Sequence, residues 1–175
     1  MHVYLIGMPG AGKSTVGKVL AQKLGRTFID LDAAIEKMAG FSIPEIFATQ
    51  GENYFRELER EALKTVSFSP EKLVVATGGG TPCFFDNLTF MQANGLVLYL
   101  KVSPEMLVKR LQDSPLNSRP LLKEKNELQL LSYLNQTLTT RAPFYEKAGI
   151  ILEPGTVADT VAASLRLLNL AGKPT

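Results

Sequence analysis

Cysteine and histidine are almost absent from this chain, which contains one of each among 175 residues. Cys83 cannot form a disulfide within the chain, and one cysteine with one histidine cannot supply the ligands of a structural zinc site. The first residues also lack the basic segment and apolar run of a signal peptide, and cleavage there would remove a glycine-rich motif that begins at residue 7. We therefore expect a cytoplasmic protein.

Long apolar runs and blocks of like charge are absent as well. No stretch approaches roughly 18 consecutive apolar residues, the length at which a membrane span is expected. The formal net charge is +2, and the lysines and arginines are scattered, so neither a membrane nor a nucleic acid is an expected partner. The chain is 45% hydrophobic and 21% charged, which is an ordinary globular composition, and its length predicts one domain over residues 1–175.

The most informative feature present is the segment GMPGAGKS at residues 7–14, which matches G-x-x-x-x-G-K-[ST] without a mismatch. An apolar run at residues 3–6 predicts a buried strand before it, and apolar residues spaced for one helix face follow it. Glycines let the backbone curl around an anion, and the helix N-terminus adds partial positive charge. The segment predicts a phosphate-binding loop in which Lys13 reaches the outer phosphates and Ser14 ligates Mg²⁺. A glycine turn that binds nothing is the alternative.

Short apolar segments alternate with helical patterns along the chain. Strands are predicted at residues 3–6, 27–30, 73–77, 96–100 and 150–152, and helices at residues 31–38, 43–50, 52–66 and 157–170. Such alternation is typical of an α/β protein whose parallel sheet is covered by helices on both faces, with ligands at the carboxyl ends of the strands. The polar segment at residues 112–126 lacks a core pattern and is predicted to be a mobile lid.

Two acidic residues end the second predicted strand. Asp30 and Asp32 are two positions apart on a segment predicted to be extended, so their carboxylates would point to the same side. They would lie close to the glycine loop if the two strands are neighbours. One carboxylate could hold a metal-bound water while the other addresses the acceptor of a phosphoryl transfer. The alternative is that both acids cap the following helix, because Asp is a good N-cap residue.

A triple glycine at residues 78–80 and three arginines complete the candidate site. The glycines indicate a backbone that approaches a ligand closely or turns sharply, and a plain flexible turn is the alternative. Arg56, Arg119 and Arg141 suit a carboxylate or a phosphate, because a guanidinium can bind either with two parallel hydrogen bonds. Each could instead be a solvated surface residue. Arg141 is expected to follow the helix after the lid.

The remaining candidates receive structural interpretations. His2 is expected at the surface, before the first strand, without a role. Cys83 is expected to be a buried small side chain rather than a nucleophile. Phe144 and Tyr145 are expected to pack behind Arg141.

Together these segments resemble the shikimate kinases, small P-loop enzymes of the nucleoside monophosphate kinase-like group. The matching segments, in the family's order, are GMPGAGKS, FIDLD, FREL, ATGGG, SRPLL and RAPFY. The resemblance covers nearly the whole chain and implies a three-layer P-loop kinase fold with a five-stranded parallel sheet, a mobile lid and a substrate-binding region at residues 33–62. It also implies transfer of the γ-phosphoryl group of ATP to the 3-hydroxyl of shikimate, a step in aromatic amino acid biosynthesis, with Mg²⁺ as cofactor. We expect the chain to be a monomer.

The resemblance implies roles for two groups of residues. The nucleotide and its metal would be bound by Gly10, Ala11, Gly12, Lys13, Ser14, Thr15, Asp30, Arg110, Arg119 and Pro154. Ser14 would ligate the metal and Asp30 would hold one of its waters. Shikimate would be bound by Asp32, Arg56, Gly78, Gly79, Gly80 and Arg141. Asp32 would be the base or orienter for the 3-hydroxyl, and Lys13 and Arg119 would be the other catalytic residues. Glu59 would orient Arg56, and Phe47 and Phe55 would form an apolar floor beneath the ring.

Three other functions stay open at this point. A kinase of gluconate or another hydroxy acid would share the phosphate loop and the arginine pair. A nucleoside monophosphate kinase would not need that pair. A nucleotide-binding switch or an inactive regulatory homologue would not need Lys13, Asp32 and the arginines together.

Overall fold

The computed structural model describes residues 1–112 and 126–171. Its strands are β1 (His2–Ile6), β2 (Thr27–Asp30), β3 (Leu73–Ala76), β4 (Gly95–Leu100) and β5 (Ile150–Leu152). They form one five-stranded sheet in the order β2-β3-β1-β4-β5, and every neighbouring pair is parallel. The predicted five-stranded parallel sheet is therefore confirmed.

Helices connect the strands, as parallel crossovers require. They are α1 (Lys13–Leu24), α2 (Leu31–Ala39), α3 (Ile43–Ser67), α4 (Asn87–Asn94), α5 (Pro104–Gln112), α6 (Glu127–Tyr145) and α7 (Val157–Ala171), with a 3₁₀ turn at Thr81–Cys83. Every residue of β1 and β3 is buried, which requires cover on both faces of the sheet. None of the helices in the described part of the chain has the length and apolarity needed to span a bilayer.

Helix α1 packs closely on the sheet because residue 17 is a glycine. A Cβ atom at Gly17 would lie 2.9 Å from Cδ1 of Leu5 and 2.6 Å from the ring of Phe28. Both distances are shorter than carbon atoms tolerate, so any larger residue would push the helix away from the strands. This close packing holds the N-terminus of α1 at the carboxyl edge of the sheet.

Helix α3 joins two helices that the sequence predicts separately, at residues 43–50 and 52–66. It begins with a capping box, in which the Glu45 N–H donates to Oγ of Ser42 at 3.4 Å and Glu45 Oε2 accepts from the Ser42 N–H at 2.8 Å. The two halves meet at Gly51, which has a non-helical φ of 81° and ψ of 177°. The kink separates a short exposed half from the half that carries Arg56.

The structure corrects two expectations about position. His2 lies inside β1 and is only 7% exposed, because α3 and β3 cover the amino end of the strand. Its Nε2 lies 3.0 Å from the Ser67 carbonyl oxygen, and its Nδ1 accepts from the Leu73 N–H at 3.2 Å. Arg141 lies within α6 rather than after it, because this helix continues through Pro143.

The segment predicted as a lid, residues 112–126, lies outside the described residues except at its two ends. Gln112 is the last residue of α5, and Asn126 caps α6 by accepting from the Gln129 N–H at 2.9 Å. Arg119 lies outside the described residues as well.

Candidate active site

The glycine loop connects the carboxyl end of β1 to α1, at the position where the sheet's strand order reverses. Strand β1 pairs with β3 on one side and β4 on the other, so a crevice opens at its end. Gly10 and Gly12 have φ values of +85° and +92°, which strain any residue with a Cβ. The Ala11 N–H closes the turn by donating to the Met8 carbonyl at 3.1 Å. The predicted strand, loop and helix N-terminus are all present.

Lys13 and Ser14 begin α1 beneath this loop. The Lys13 Nζ donates to the carbonyl oxygens of Gly7 at 2.8 Å and Met8 at 2.9 Å. The Ser14 hydroxyl donates to Asp30 Oδ2 at 2.7 Å. This contact is made although β3 lies between β1 and β2 in the sheet, so Asp30 reaches the glycine loop without the condition that the two strands are neighbours.

The chemistry of Ser14 and Asp30 fits Mg²⁺. Hydroxyl and carboxylate oxygens are the ligands this ion prefers, and it usually takes only one or two from a protein, with phosphates and waters completing its shell. Among the described residues, no group of three or more His, Cys, Asp or Glu side chains could enclose a metal. The pair is therefore suited to a metal that arrives with a nucleotide rather than to a closed protein cage.

A pocket of about 380 Å³ opens beside the glycine loop. Six predicted nucleotide-binding residues line it: Gly10, Ala11, Gly12, Thr15, Arg110 and Pro154. Arg110 on α5 donates from Nη1 to the Ala11 carbonyl oxygen at 3.2 Å, which joins one wall of the pocket to the loop. The structure thus brings together residues that are distant in sequence on the nucleotide side of the cleft.

The two acidic residues occupy different elements. Asp30 ends β2 and caps α2 by accepting from the Asp32 N–H at 3.2 Å, whereas Asp32 lies in the first helical turn. The extended geometry predicted for the pair is wrong, because α2 begins at Leu31, directly after Asp30, as the helix predicted at residues 31–38 requires. The capping alternative is right for Asp30 only.

Asp32 faces the open cleft, yet nearby protein atoms partly desolvate its carboxyl group. This desolvation raises the pKa of Asp32 to about 6, and the negative charges of Asp30, Glu59 and Glu36 act in the same direction, while Lys13 opposes them. A carboxyl group with this pKa is mainly ionised at neutral pH and can accept a proton.

The triple glycine after β3 holds the acceptor side of the cleft together. Each glycine lies against charged side chains. At Gly78 a Cβ atom would come 3.0 Å from Asp32 Oδ1 and 2.9 Å from Glu59 Oε1. At Gly79 it would come 2.9 Å from Arg141 Nη1, and at Gly80 it would come 2.7 Å from Arg56 Nη1. No side chain fits at these distances without displacing a neighbour. The turn therefore packs closely against charged side chains, and its approach to a ligand stays a prediction.

Arg56 on α3 is 9% exposed, and its guanidinium is held by carboxylates and rings. Nη1 donates to Glu59 Oε2 at 2.9 Å, while Nε and Nη2 donate to Glu52 Oε1 at 3.2 Å and 3.0 Å. The Phe84 and Phe55 rings lie 4.0 Å and 5.0 Å from its Cζ, within cation–π range. Glu59 therefore contacts Arg56 as the sequence analysis expected.

Sequence reasoning missed three residues of this cluster. Glu52 precedes Arg56 by four positions, a helical ion-pair spacing that could have revealed it. Phe84 and Thr81 carry no local signal, although the Thr81 hydroxyl donates to Glu59 Oε1 at 2.6 Å. Their positions depend on how the turn after β3 folds back onto α3.

The side chains around Arg141 have structural roles. The Tyr145 hydroxyl donates to the Gly79 carbonyl at 2.6 Å, and its ring packs on Tyr99 at 5.0 Å between centroids. Burial raises the pKa of Tyr145. Burial also raises the pKa of the Cys83 thiol to about 11, so this thiol is protonated at neutral pH and is a poor nucleophile.

On the acceptor side, the rings of Phe47 and Phe55 pack against each other, with their centroids 4.7 Å apart.

A phosphate loop at the strand-order reversal, with a carboxylate and arginines across the crevice, defines a small-molecule kinase of the P-loop class. The family model for shikimate kinase matches residues 9–166. A shikimate kinase of Parabacteroides distasonis is 47% identical over 152 residues, which cover 87% of both chains. One from Sulfurihydrogenibium is 46% identical over 149 residues, or 85% of both chains.

Solved structures agree with the sequence comparisons. A shikimate kinase structure from Bacteroides thetaiotaomicron has a TM-score of 0.91 and 39% identity, covering 97% of this chain and 98% of that one. A structure of the Acinetobacter baumannii enzyme in complex with shikimate has a TM-score of 0.88 and 35% identity, covering 99% and 95%. This chain therefore belongs to the shikimate kinase family, whose members are ATP-dependent kinases.

Proposed function

We propose that this cleft transfers the γ-phosphoryl group of ATP to the 3-hydroxyl of shikimate, giving 3-phosphoshikimate and ADP in aromatic amino acid biosynthesis. The observation that carries the residue assignment is the glycine turn, where a Cβ would lie within about 3 Å of Asp32 at Gly78, of Arg141 at Gly79 and of Arg56 at Gly80. A proton acceptor and two guanidinium groups thus border one crevice beside the phosphate loop, as a hydroxylated carboxylic acid requires.

On the nucleotide side, the loop amides and Lys13 bind the phosphates of ATP. Lys13 donates to two loop carbonyls, at 2.8 Å and 2.9 Å, which keep the ammonium group at the mouth of the loop. Ser14 and Asp30 would hold Mg²⁺, which neutralises charge on the phosphate oxygens when it is bound. Arg110 and Pro154 flank the pocket proposed for the adenine.

On the acceptor side, Asp32 orients the 3-hydroxyl and receives its proton. The hydroxyl oxygen bonds to the γ-phosphorus, the bond from this phosphorus to the β–γ bridging oxygen breaks, and ADP leaves with that bond's electron pair. Arg56, Arg141 and the Gly79 N–H bind the carboxylate, which fixes the ring so that the 3-hydroxyl faces the phosphate. Residues 33–62 are the proposed acceptor-binding region.

Three further parts of the proposal concern the whole chain. The protein is proposed to act as a monomer and as one domain. A cytoplasmic location is proposed from the sparse cysteine content. Arg119 and the rest of the lid segment retain the roles predicted from sequence, in which Arg119 neutralises charge on the transferring group.

The first experiment measures ADP release with shikimate, quinate, gluconate and nucleoside monophosphates as acceptors. We expect turnover with shikimate to exceed that with gluconate and the nucleotides. Preference for gluconate would indicate a different hydroxy-acid kinase, and ATP binding without transfer to any acceptor would indicate a regulatory homologue. Omission of Mg²⁺ should abolish turnover. Sedimentation velocity measures the molecular mass in solution and so tests whether the protein is a monomer.

The second experiment examines the arginine pair. Arg141→Ala should weaken shikimate binding by about 2 kcal/mol, roughly 30-fold in Kd, because a charged partner of the carboxylate is lost. Arg141→Lys should recover little of this, since an ammonium group cannot make two parallel hydrogen bonds. Arg166→Ala, on an exposed arginine of α7, is the matched control. Equal losses of ATP and shikimate affinity would contradict the assignment.

A further inference from the structure

The guanidinium of Arg56 has two edges that could bind a carboxylate with paired hydrogen bonds, and both are covered. The Nη1/Nη2 edge lies against the turn after β3, because a Cβ at Gly80 would be 2.7 Å from Nη1 and 2.8 Å from Nη2. The Nε/Nη2 edge faces Glu52, whose Oε1 accepts from Nε at 3.2 Å and from Nη2 at 3.0 Å. Because the backbone turn blocks the other edge, an incoming carboxylate can make paired hydrogen bonds with Arg56 only at the Nε/Nη2 edge, which Glu52 holds.

The two glutamates on Arg56 differ in how firmly they are held. Glu59 is 1% exposed, and its oxygens bind the Arg56 guanidinium and the Thr81 hydroxyl, at 2.9 Å and 2.6 Å. The Glu52 side chain is 55% exposed. Glu52 also follows Gly51, the non-helical residue at the kink of α3. Solvent can replace the contacts of Glu52, whereas moving Glu59 would leave a buried charge unpaired.

We infer that Glu52 holds the edge of Arg56 at which the substrate's carboxylate binds, and that Glu52 is displaced when the substrate binds. This inference rests on the proposed function, in which Arg56 binds the carboxylate of shikimate. One carboxylate replaces another, so the nearly buried Arg56 cation remains neutralised in both states. A small anion that lacks the other contacts of the cleft gains little by the exchange. The internal competitor therefore lowers the affinity for every anion that binds Arg56, and an anion that also contacts Asp32 and Arg141 has further interactions that offset this cost.

The test compares Glu52→Gln and Glu52→Ala with wild type by titration calorimetry. Removal of the competitor should lower the Kd of shikimate by about two- to fivefold, the range that corresponds to a partly exposed ion pair. The alanine variant should show at least as large a gain as the glutamine variant, which retains an acceptor oxygen. The methyl ester of shikimate, which has no carboxylate charge, should show no gain in either variant.

The matched control is Glu57→Gln, which makes the same change of charge at an exposed position of the same helix. A similar gain in this control, or a gain for the methyl ester, would overturn the inference in favour of a general electrostatic effect. Weaker shikimate binding by both Glu52 variants would also overturn it, because Glu52 would then position Arg56.

Arg56→Ala separates this inference from the proposed function. Unchanged shikimate binding by a folded Arg56→Ala variant would remove Arg56 from the substrate site, and the inference with it. Weakened binding by Arg56→Ala, combined with no gain in the Glu52 variants, would overturn the inference alone. Thermal unfolding of each variant verifies that it is folded. If Arg56→Ala does not fold, Arg56→Gln replaces it, because an amide can still donate a hydrogen bond to Glu59.

Discussion

The nucleotide side and the acceptor side of the cleft are built in different ways. The nucleotide side is centred on residues 7–14, a continuous segment whose backbone conformation requires glycine at positions such as Gly12. The acceptor side takes its charged groups from α2, α3 and α6 and brings them together around three glycines. The first side depends on local backbone geometry, and the second depends on the packing of distant elements.

The two sides also handle charge differently. On the nucleotide side, Lys13 donates to two carbonyl oxygens of the loop, at 2.8 Å and 2.9 Å. On the acceptor side the cation of Arg56 is already neutralised by Glu52 and Glu59. A substrate carboxylate that binds Arg56 would thus have to compete with a carboxylate that is already present. Substitutions can examine how independent the two sides are.

The largest effect is expected at Lys13. Lys13→Met should lower kcat by about 10³-fold, because a cation that stabilises charge on the transferring group is lost. If the two sides act independently, the Kd of shikimate in the absence of nucleotide should not change. Rapid-quench kinetics and calorimetry measure the two quantities, with Lys23→Met near the end of α1 as the control. An equally large loss of shikimate affinity would show that the two sides of the cleft do not act independently.

Asp32→Asn should have the next largest effect, a fall in kcat of at least roughly 10²-fold with unchanged ATP binding. In the wild type, kcat/KM for shikimate should fall as the pH drops through about 6, because protonation removes the proton acceptor. The variant should lack this dependence. Near-wild-type turnover by the variant would remove Asp32 from the mechanism.

The same variant should be more stable than the wild type at pH 8. The folded-state pKa of Asp32, about 6, lies above the ordinary value of 3.8, so ionisation costs stability above about pH 6. This cost is relieved as the pH falls from 6 towards 3.8. Because solvent screens Asp32, we expect the variant's free energy of unfolding at pH 8 to be higher by only about 1 kcal/mol, or roughly 2–4 °C in Tm. Scanning calorimetry at pH 8 and pH 5 should show the difference shrinking.

Gly79→Ala tests a glycine that lies against both sides of the cleft. Its Cβ would lie 2.9 Å from Arg141 Nη1 and 2.9 Å from Pro9 Cδ in the phosphate loop. The arginine can move, but the proline ring cannot, so we expect roughly tenfold weaker binding of both ATP and shikimate from overpacking. Gly149→Ala is the control, since its Cβ would meet only a carbonyl oxygen at 3.9 Å. A loss of affinity confined to shikimate would show that the phosphate loop does not respond to a change in the turn after β3.

The smallest effect is expected at His2, which lies at the amino ends of the strands, away from the cleft. Burial lowers the pKa of His2 below 6.5, helped by the positive N-terminus and Arg26, while its contact with the Ser67 carbonyl opposes this. The neutral ring therefore stabilises the fold above pH 6.5 and loses this contribution as the pH falls through that value.

His2→Gln measures that contribution. Its free energy of unfolding at pH 8 should be about 1 kcal/mol lower than that of the wild type, because two buried hydrogen bonds change. The difference should shrink below pH 6.5 in denaturant titrations, and kcat should be unaffected at any pH. A variant that changed kcat would show that this end of the sheet is coupled to the cleft.

Particular residues show where sequence reasoning reached its limit. The phosphate loop could be predicted because residues 7–14 act through their own backbone, and the flanking strand and helix have clear periodicities. The extended geometry of Asp30 and Asp32 was wrong, because a helix begins immediately after the strand. The burial of His2 could not be predicted either, since its partners Ser67 and Leu73 are more than 60 positions away.

The sequence by itself determined the class of fold, the phosphate loop and the pairing of Arg56 with Glu59, because each follows from patterns within single strands and helices. Only the tertiary structure decided which distant groups share the acceptor side. Strand β3 enters the sheet between β1 and β2, and this order places the triple glycine against α2, α3 and α6. The order of parallel strands results from packing over the whole core, so no short stretch of sequence encodes it.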